Sequence, residues 1–187
     1  MSEKNSFNTE KFRELITKWR KFQQPGIKHE LFKDMLGSWD VRLVFHSGTE
    51  KWESECRAEN RMLHGGRFLM EQIEGEIYAP NDEGIMEPES YSSTRIVGYD
   101  NFKKAYVGTF VENQNSYMLN YTGRIPLRGD SSQIVFYGLS DEPMLELSDA
   151  TMKYVLSAIN KDYYRWDVYA LALGEEALVF EILFTRF

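Results

Sequence analysis

Residues 34–77 read DMLGSWDVRLVFHSGTEKWESECRAENRMLHGGRFLMEQIEGEI, and at Trp39 the hydrophobic period becomes two. Trp39, Val41, Leu43 and Phe45 fall on one side; Asp40, Arg42 and His46 fall on the other, with Val44 out of step. Next, Trp52, Ser54, Cys56, Ala58, Asn60 and Met62 alternate with Glu53, Glu55, Arg57, Glu59 and Arg61. The second set is so charged that the first must face an interior. Gly65-Gly66 suits a two-residue hairpin turn with positive φ, and leads into a third strand from Arg67 to Tyr78. That strand carries Leu69, Ile73 and Ile77 on one face, interrupted by Glu71.

The same grammar continues to the C-terminus. After a loop over Ala79–Ser90, strands are expected at Ser92–Tyr99, Lys104–Glu112, Ser116–Arg124, Ser132–Leu139, Thr151–Asn160, Tyr163–Leu173 and Ala177–Phe187. Asp100-Asn101, Asn113-Gln114-Asn115, Gly129-Asp130, Lys161-Asp162 and Gly174-Glu175 supply turn chemistry. Ser140–Asp149 reads as a second long, acidic loop. About ten antiparallel strands joined mostly by short turns predict a mostly β, up-and-down barrel rather than a parallel α/β sheet.

Upstream, Asn8–Phe22 reads as a helix. Phe12, Leu15, Ile16, Trp19 and Phe22 form one stripe, Asn8 is placed as N-cap, and Phe7 and Phe12 as a hydrophobic staple. Pro25-Gly26 ends it, and Lys28–Leu36 forms a shorter helix with Leu31, Phe32, Met35 and Leu36 inward. The expected division is a helical extension over residues 1–27 and a barrel over 28–187. The stripe needs cover: its own barrel wall, a barrel mouth, or a second copy in a homodimer.

Composition narrows the function classes. The chain has 187 residues, 42% of them hydrophobic and 14% aromatic, enough for one domain with a core. A net charge of -7, with scattered acids, disfavours a nucleic-acid grip. One cysteine, Cys56, excludes an internal disulfide and a Cys-rich zinc site, and fits a reducing cytoplasmic setting. The polar N-terminus lacks an apolar signal core, and no window reaches a membrane span.

Gly37-x-Trp39 in the first strand and Thr185-Arg186 in the last resemble the closure signature of lipocalins and fatty-acid-binding proteins. There a first-strand Trp packs near the barrel floor beneath a basic side chain, and an indole face accepts a guanidinium. Leu36-Gly37-x-Trp39-Asp40-Val41 is followed by Gly65-Gly66-Arg67-Phe68-Leu69-x-Glu71 with Glu74-Gly75. Gly98-Tyr99-Asp100-Asn101 with Lys104 and Tyr106 comes next, then Thr185-Arg186. In this order the motifs resemble the largely bacterial domain-of-unknown-function family 1579, similar to lipocalins in fold. The resemblance covers about Lys28 to Phe187. It implies Gly37, Trp39 and Arg186 as closure residues and a calycin-like barrel. The family has no established activity, so function follows only by analogy with ligand-carrying barrels.

Candidate chemistry centres on Glu71, a carboxylate among apolar neighbours whose pKa burial would raise unless Arg67 or Arg95 pairs with it. The expected lumen residues are Trp52, Met62, Leu69, Glu71, Arg95, Tyr106, Phe110, Tyr121, Phe136, Tyr154, Trp166, Phe180 and Phe184. Large apolar side chains with few polar tips suit a small hydrophobic ligand with one or two hydrogen-bonding groups. The same aromatics could instead fill the barrel. Glu71 has three readings: a polar anchor for the ligand, an acid or base on an enclosed substrate, or half of a structural ion pair in a solid interaction module.

No cofactor is expected. His29, His46 and His64 have no metal-ligand spacing. Similar haem-binding barrels of the nitrobindin type ligate iron through a late-strand histidine, and Tyr163–Leu173 and Ala177–Phe187 contain none. A G-x-S-x-G elbow is absent, and mid-strand Cys56 reads as an inert buried thiol.

Overall fold

In the computed structural model, residues 9–81, 83–127, 133–142, 146–157 and 159–187 are described. Ten strands form one closed antiparallel barrel in which each strand pairs with its sequence neighbours and the first meets the last. They are β1 Gly37–Ser47, β2 Glu50–Leu63, β3 Phe68–Pro80, β4 Met86–Asp100, β5 Ala105–Glu112, β6 Leu119–Arg124, β7 Ile134–Glu142, β8 Leu147–Ser157, β9 Tyr163–Ala170 and β10 Leu178–Arg186. The up-and-down barrel expected from the alternation is the fold observed.

The seam is the β1–β10 pairing, with Trp39 opposite Arg186, Val41 opposite Phe184 and Phe45 opposite Phe180. β1 also pairs Val41 with Cys56 and Leu43 with Ser54 on β2. The charged residues of β2 therefore point to solvent while Ser54, Cys56, Ala58 and Asn60 are buried. Closure removes both sheet edges, so every strand finds partners on its two sides.

Two short helical pieces lead into the barrel. α2, Ile27–Glu30, is capped by His29, whose Nδ1 accepts the Gly26 backbone N–H at 3.0 Å. It runs into a 3₁₀ turn, Leu31–Met35, so the expected single helix over Lys28–Leu36 is two tighter segments. The turn packs Phe32 and Met35, both fully buried, under the barrel. The Trp39 indole N–H and the Asn60 amide both donate to Met35 O, at 2.9 and 2.7 Å. This segment closes the floor.

The first helix, α1, spans Thr9–Gln23. Its expected cap Asn8 and staple residue Phe7 lie outside the described residues, as does the Gly129-Asp130 turn. No residue of α1 is buried. The Asn101 amide in the β4–β5 turn donates to Phe22 O and Gln24 O, and Phe102 meets Phe22 edge-on at 5.4 Å. These contacts hold the C-terminal end of the helix.

Several expected boundaries change: β9 gives way to a 3₁₀ turn over Leu171–Leu173, β6 begins at Leu119 rather than Ser116, and three larger changes follow. The loop over Ala79–Ser90 is mostly strand, because β3 and β4 stay paired as far as Pro80 and Met86. Asn81 makes this possible: its Oδ1 accepts the N–H groups of Glu83 and Ile85, folding the turn into a few residues. The acidic stretch from Ser140 is also partly strand, with β7 and β8 paired past a register shift between Ser140 and Glu142. The Gly65-Gly66 turn is four residues long, not two. Leu63 faces Phe68, and His64, Gly65 and Gly66 all have positive φ.

Candidate functional site

Register alone assembles the centre of the lumen. Asn60 on β2 stands opposite Glu71 on β3, Glu71 opposite Arg95 on β4, and Arg95 opposite Phe110 on β5. All four side chains share the inward face, so one rung across four strands holds an amide, a carboxylate, a guanidinium and a ring. Glu71 and Arg95 are almost wholly buried.

Within this rung, Arg95 Nη1 donates to Glu71 Oε1 at 2.5 Å, and the Tyr164 hydroxyl donates to Oε2 at 2.9 Å. Asn60 Nδ2 donates to the Tyr164 oxygen at 2.7 Å. The Arg95 guanidinium lies 4.4 Å from the Trp166 ring centroid and 5.1 Å from that of Phe110. A planar, weakly hydrated cation between two aromatic faces is held by both charge and dispersion. Of the two expected arginine partners for Glu71, Arg95 takes the role. Arg67 instead donates from Nη1 to His64 O in the turn.

Burial is the largest influence on Glu71 and raises its pKa; the Arg95 charge, the Tyr164 hydroxyl and the nearby Trp166 N–H oppose it. Burial also raises the phenols of Tyr121 and Tyr164, so both stay protonated donors. Three buried polar atoms in this zone lack a hydrogen-bond partner: Asn60 Oδ1, Tyr121 Oη and Trp166 Nε1. The Trp166 N–H is close enough to Glu71 to favour the carboxylate, yet its geometry falls short of a hydrogen bond.

The lumen has two unlike halves. Below the rung, Trp39, Leu69, Phe136, Leu156, Tyr164 and Phe184 have no exposure at all. Tyr164 stacks on Phe184 at 4.0 Å, and Trp39 meets Tyr164 edge-on at 4.8 Å. At the rung, Tyr121, Phe136 and Trp166 pack ring on ring. Above it, Leu43, Tyr154 and Val168 each keep 7% of their surface accessible, and Phe180 at the rim keeps 41%. The end of the barrel beyond the rung is therefore less tightly sealed than the floor. Two concavities, of about 840 and 390 Å³, lie on the outer wall among charged side chains of β1–β3.

Every residue expected in the lumen is on the inner face. Leu69, Tyr106 and Phe136 belong to the packed floor, with Met62 partly buried beside them. Glu71, Arg95 and Phe110 belong to the rung, Tyr121 and Trp166 lie beside it, Tyr154 lies above it, and Trp52 and Phe180 are near the mouth. Asn60 and Tyr164, which complete the Glu71 network, were not among the expected ligand contacts. Asn60 was legible as the one amide on an otherwise small or apolar face; Tyr164 lies two residues before Trp166 and shares its alternation.

Closure involves the residues expected from the sequence motif. Arg186 Cζ stands 3.8 Å from the Trp39 ring centroid, and the guanidinium also donates to Leu36 O, Asp34 O and Lys161 O. Gly37 has φ +97°, and a Cβ there would lie 3.0 Å from Arg186 Nη1. The positive φ favours glycine here.

The family model for proteins of unknown function named DUF1579 matches residues 24–186. The chain belongs to that family. The match begins just after α1, so this helix is an addition to the DUF1579 unit. No curated protein matches the sequence. Among solved structures, Rv2717c from M. tuberculosis is similar with TM-score 0.56 and 14% identity, over 88% of this chain and 99% of that one. At that identity the likeness concerns the DUF1579 barrel alone. No helix of the described residues is long and apolar enough to cross a membrane, and those residues contain no cluster of three metal-ligating side chains.

Proposed function

We propose that this DUF1579 barrel is a cytoplasmic small-molecule-binding protein. Its upper lumen takes a small, mostly hydrophobic molecule with one hydrogen-bonding group, and the Glu71–Arg95 rung fixes that group. The observation supporting this reading is that the buried Tyr121 hydroxyl and Trp166 N–H beside the rung lie near Arg95 and Glu71 but make no hydrogen bond of good geometry. A buried polar group without a partner costs about 1–3 kcal/mol, and native interiors avoid it. A ligand atom that accepts from one and donates to the other removes that cost. Because Glu71 and Arg95 offset each other's charge, the rung suits a neutral polar group.

An acid–base role for Glu71 has less support. Its raised pKa is suitable, but Oε1 is committed to Arg95 and Oε2 to Tyr164. A substrate atom would need to displace one of them. The packed floor likewise limits any ligand to the upper half.

Thermal-shift titration with 1-octanol, indole and octanoate tests the reading. Saturation by octanol should raise Tm by a few degrees, with octanoate weaker and indole, which has no acceptor atom, weaker still, as a ligand at about 100 times its Kd stabilises by ~2.7 kcal/mol. Equal lack of response to all three would count against a ligand-binding lumen.

A further inference from the structure

α1 is a cationic amphipathic helix whose apolar stripe is largely exposed at Leu15 and Trp19, while Phe22 meets Phe102 at one end. Leu15, Trp19 and Phe22 keep 44%, 57% and 46% of their surface exposed among the described residues. At 100° per residue these side chains fall on one face with Phe12 and Ile16. Lys11 and Lys18, seven residues apart, flank that face on one side, and Arg13 and Arg20 flank it on the other. Glu10, Lys21 and Glu14 point to the opposite pole.

This arrangement sorts charge by depth. Four cations lie level with the edges of the apolar face, where long side chains reach past a buried stem to a charged boundary. Both acids lie on the far side, with the fifth cation, Lys21, between them. The segment carries +3, whereas the rest of the chain, with 17 basic and 27 acidic side chains, carries −10. A 15-residue helix with no buried residue is also marginal alone in water.

We infer that α1 docks flat on the anionic face of a phospholipid bilayer, with Leu15, Trp19 and Phe22 entering the acyl boundary and the flanking cations meeting lipid phosphates. Trp and Phe on the apolar side, cations along both borders and low net hydrophobicity characterise helices that lie in a membrane interface without spanning it. Cations on both borders match a planar anionic surface better than a one-sided groove on a second copy. The acidic barrel is repelled by the same surface, but that repulsion fades beyond a Debye length of about 8–10 Å.

Co-sedimentation of the full chain with vesicles tests the inference. One set is phosphatidylcholine alone; the other contains about 30% phosphatidylglycerol. The bound fraction should be roughly tenfold higher on anionic vesicles and fall as salt is raised from about 0.1 to 0.5 M. Leu15→Asp with Trp19→Glu should reduce binding about tenfold while leaving the barrel Tm unchanged, since neither side chain is buried. No binding to either vesicle, or equal binding by the double variant, overturns the inference. So does a dimer mass in solution that the double variant converts to monomer without any vesicle binding; that result assigns the stripe to a second copy.

Discussion

Arg95 and Glu71 face each other across β4 and β3, with Nη1 2.5 Å from Oε1 and both side chains inside the barrel wall. Their attraction offsets a desolvation penalty of several kcal/mol per ion only while both are present. Arg95→Met or Glu71→Ala alone should therefore destabilise the fold by about 3–5 kcal/mol, because each leaves a buried charge or broken network. Combining Arg95→Met with Glu71→Met should recover most of that loss. Urea unfolding of the three variants measures the coupling.

The pair also gives stability a pH dependence. Burial raises the folded pKa of Glu71 above its unfolded value, so its contribution is fully present below about pH 4.5 and is lost as pH rises through the raised folded value. Over that window, the stability of wild type relative to Glu71→Gln should fall with increasing pH. Chemical denaturation of both proteins across the window checks the sign.

Arg186 joins the floor to the seam. Its guanidinium covers Trp39 and donates to three backbone carbonyls. Arg186→Lys keeps the charge but loses the planar fork, and should cost about 1–3 kcal/mol. Near-UV circular dichroism should show a weakened Trp signal before global unfolding. An unchanged spectrum and stability would remove the closure role.

Cys56 is inward on β2 and partly covered by Gly75, with its Sγ 3.7 Å from Glu76 O. Burial pushes its pKa up to about 11. That contribution to stability holds below the unfolded value near 9 and disappears as pH rises through about 11. At pH 8 the folded protein has about a hundredfold less thiolate than the unfolded chain. Iodoacetamide should therefore modify it at least tenfold more slowly than in urea, as followed by mass.

The β1–β2 alternation was legible because charged and uncharged side chains strictly alternate from Trp52 to Met62. Inward Glu71 and its partner Arg95 also follow from period two once register is known. Register across distant strands is not local information, and this hid the meeting of Asn60 with Tyr164. The ring-packed middle had an overlooked signal. Gly108 and Gly123 stand inside strands where a Cβ would collide with Tyr121 and Phe136, so missing side chains mark where rings lie across the wall. The Ala79–Ser90 boundary failed for a related reason. Pro88 reads as a breaker, yet here it pairs opposite Tyr78 within a long hairpin.

Native mass spectrometry of the full chain, after exposure to 1-octanol, tests most directly whether the upper lumen takes a ligand beside Tyr121 and Trp166. The account predicts one adduct per chain, and Tyr121→Phe should lose most of it while the ligand-free protein becomes about 1 kcal/mol more stable. Absence of an adduct, or an adduct that Tyr121→Phe leaves unchanged, would contradict it.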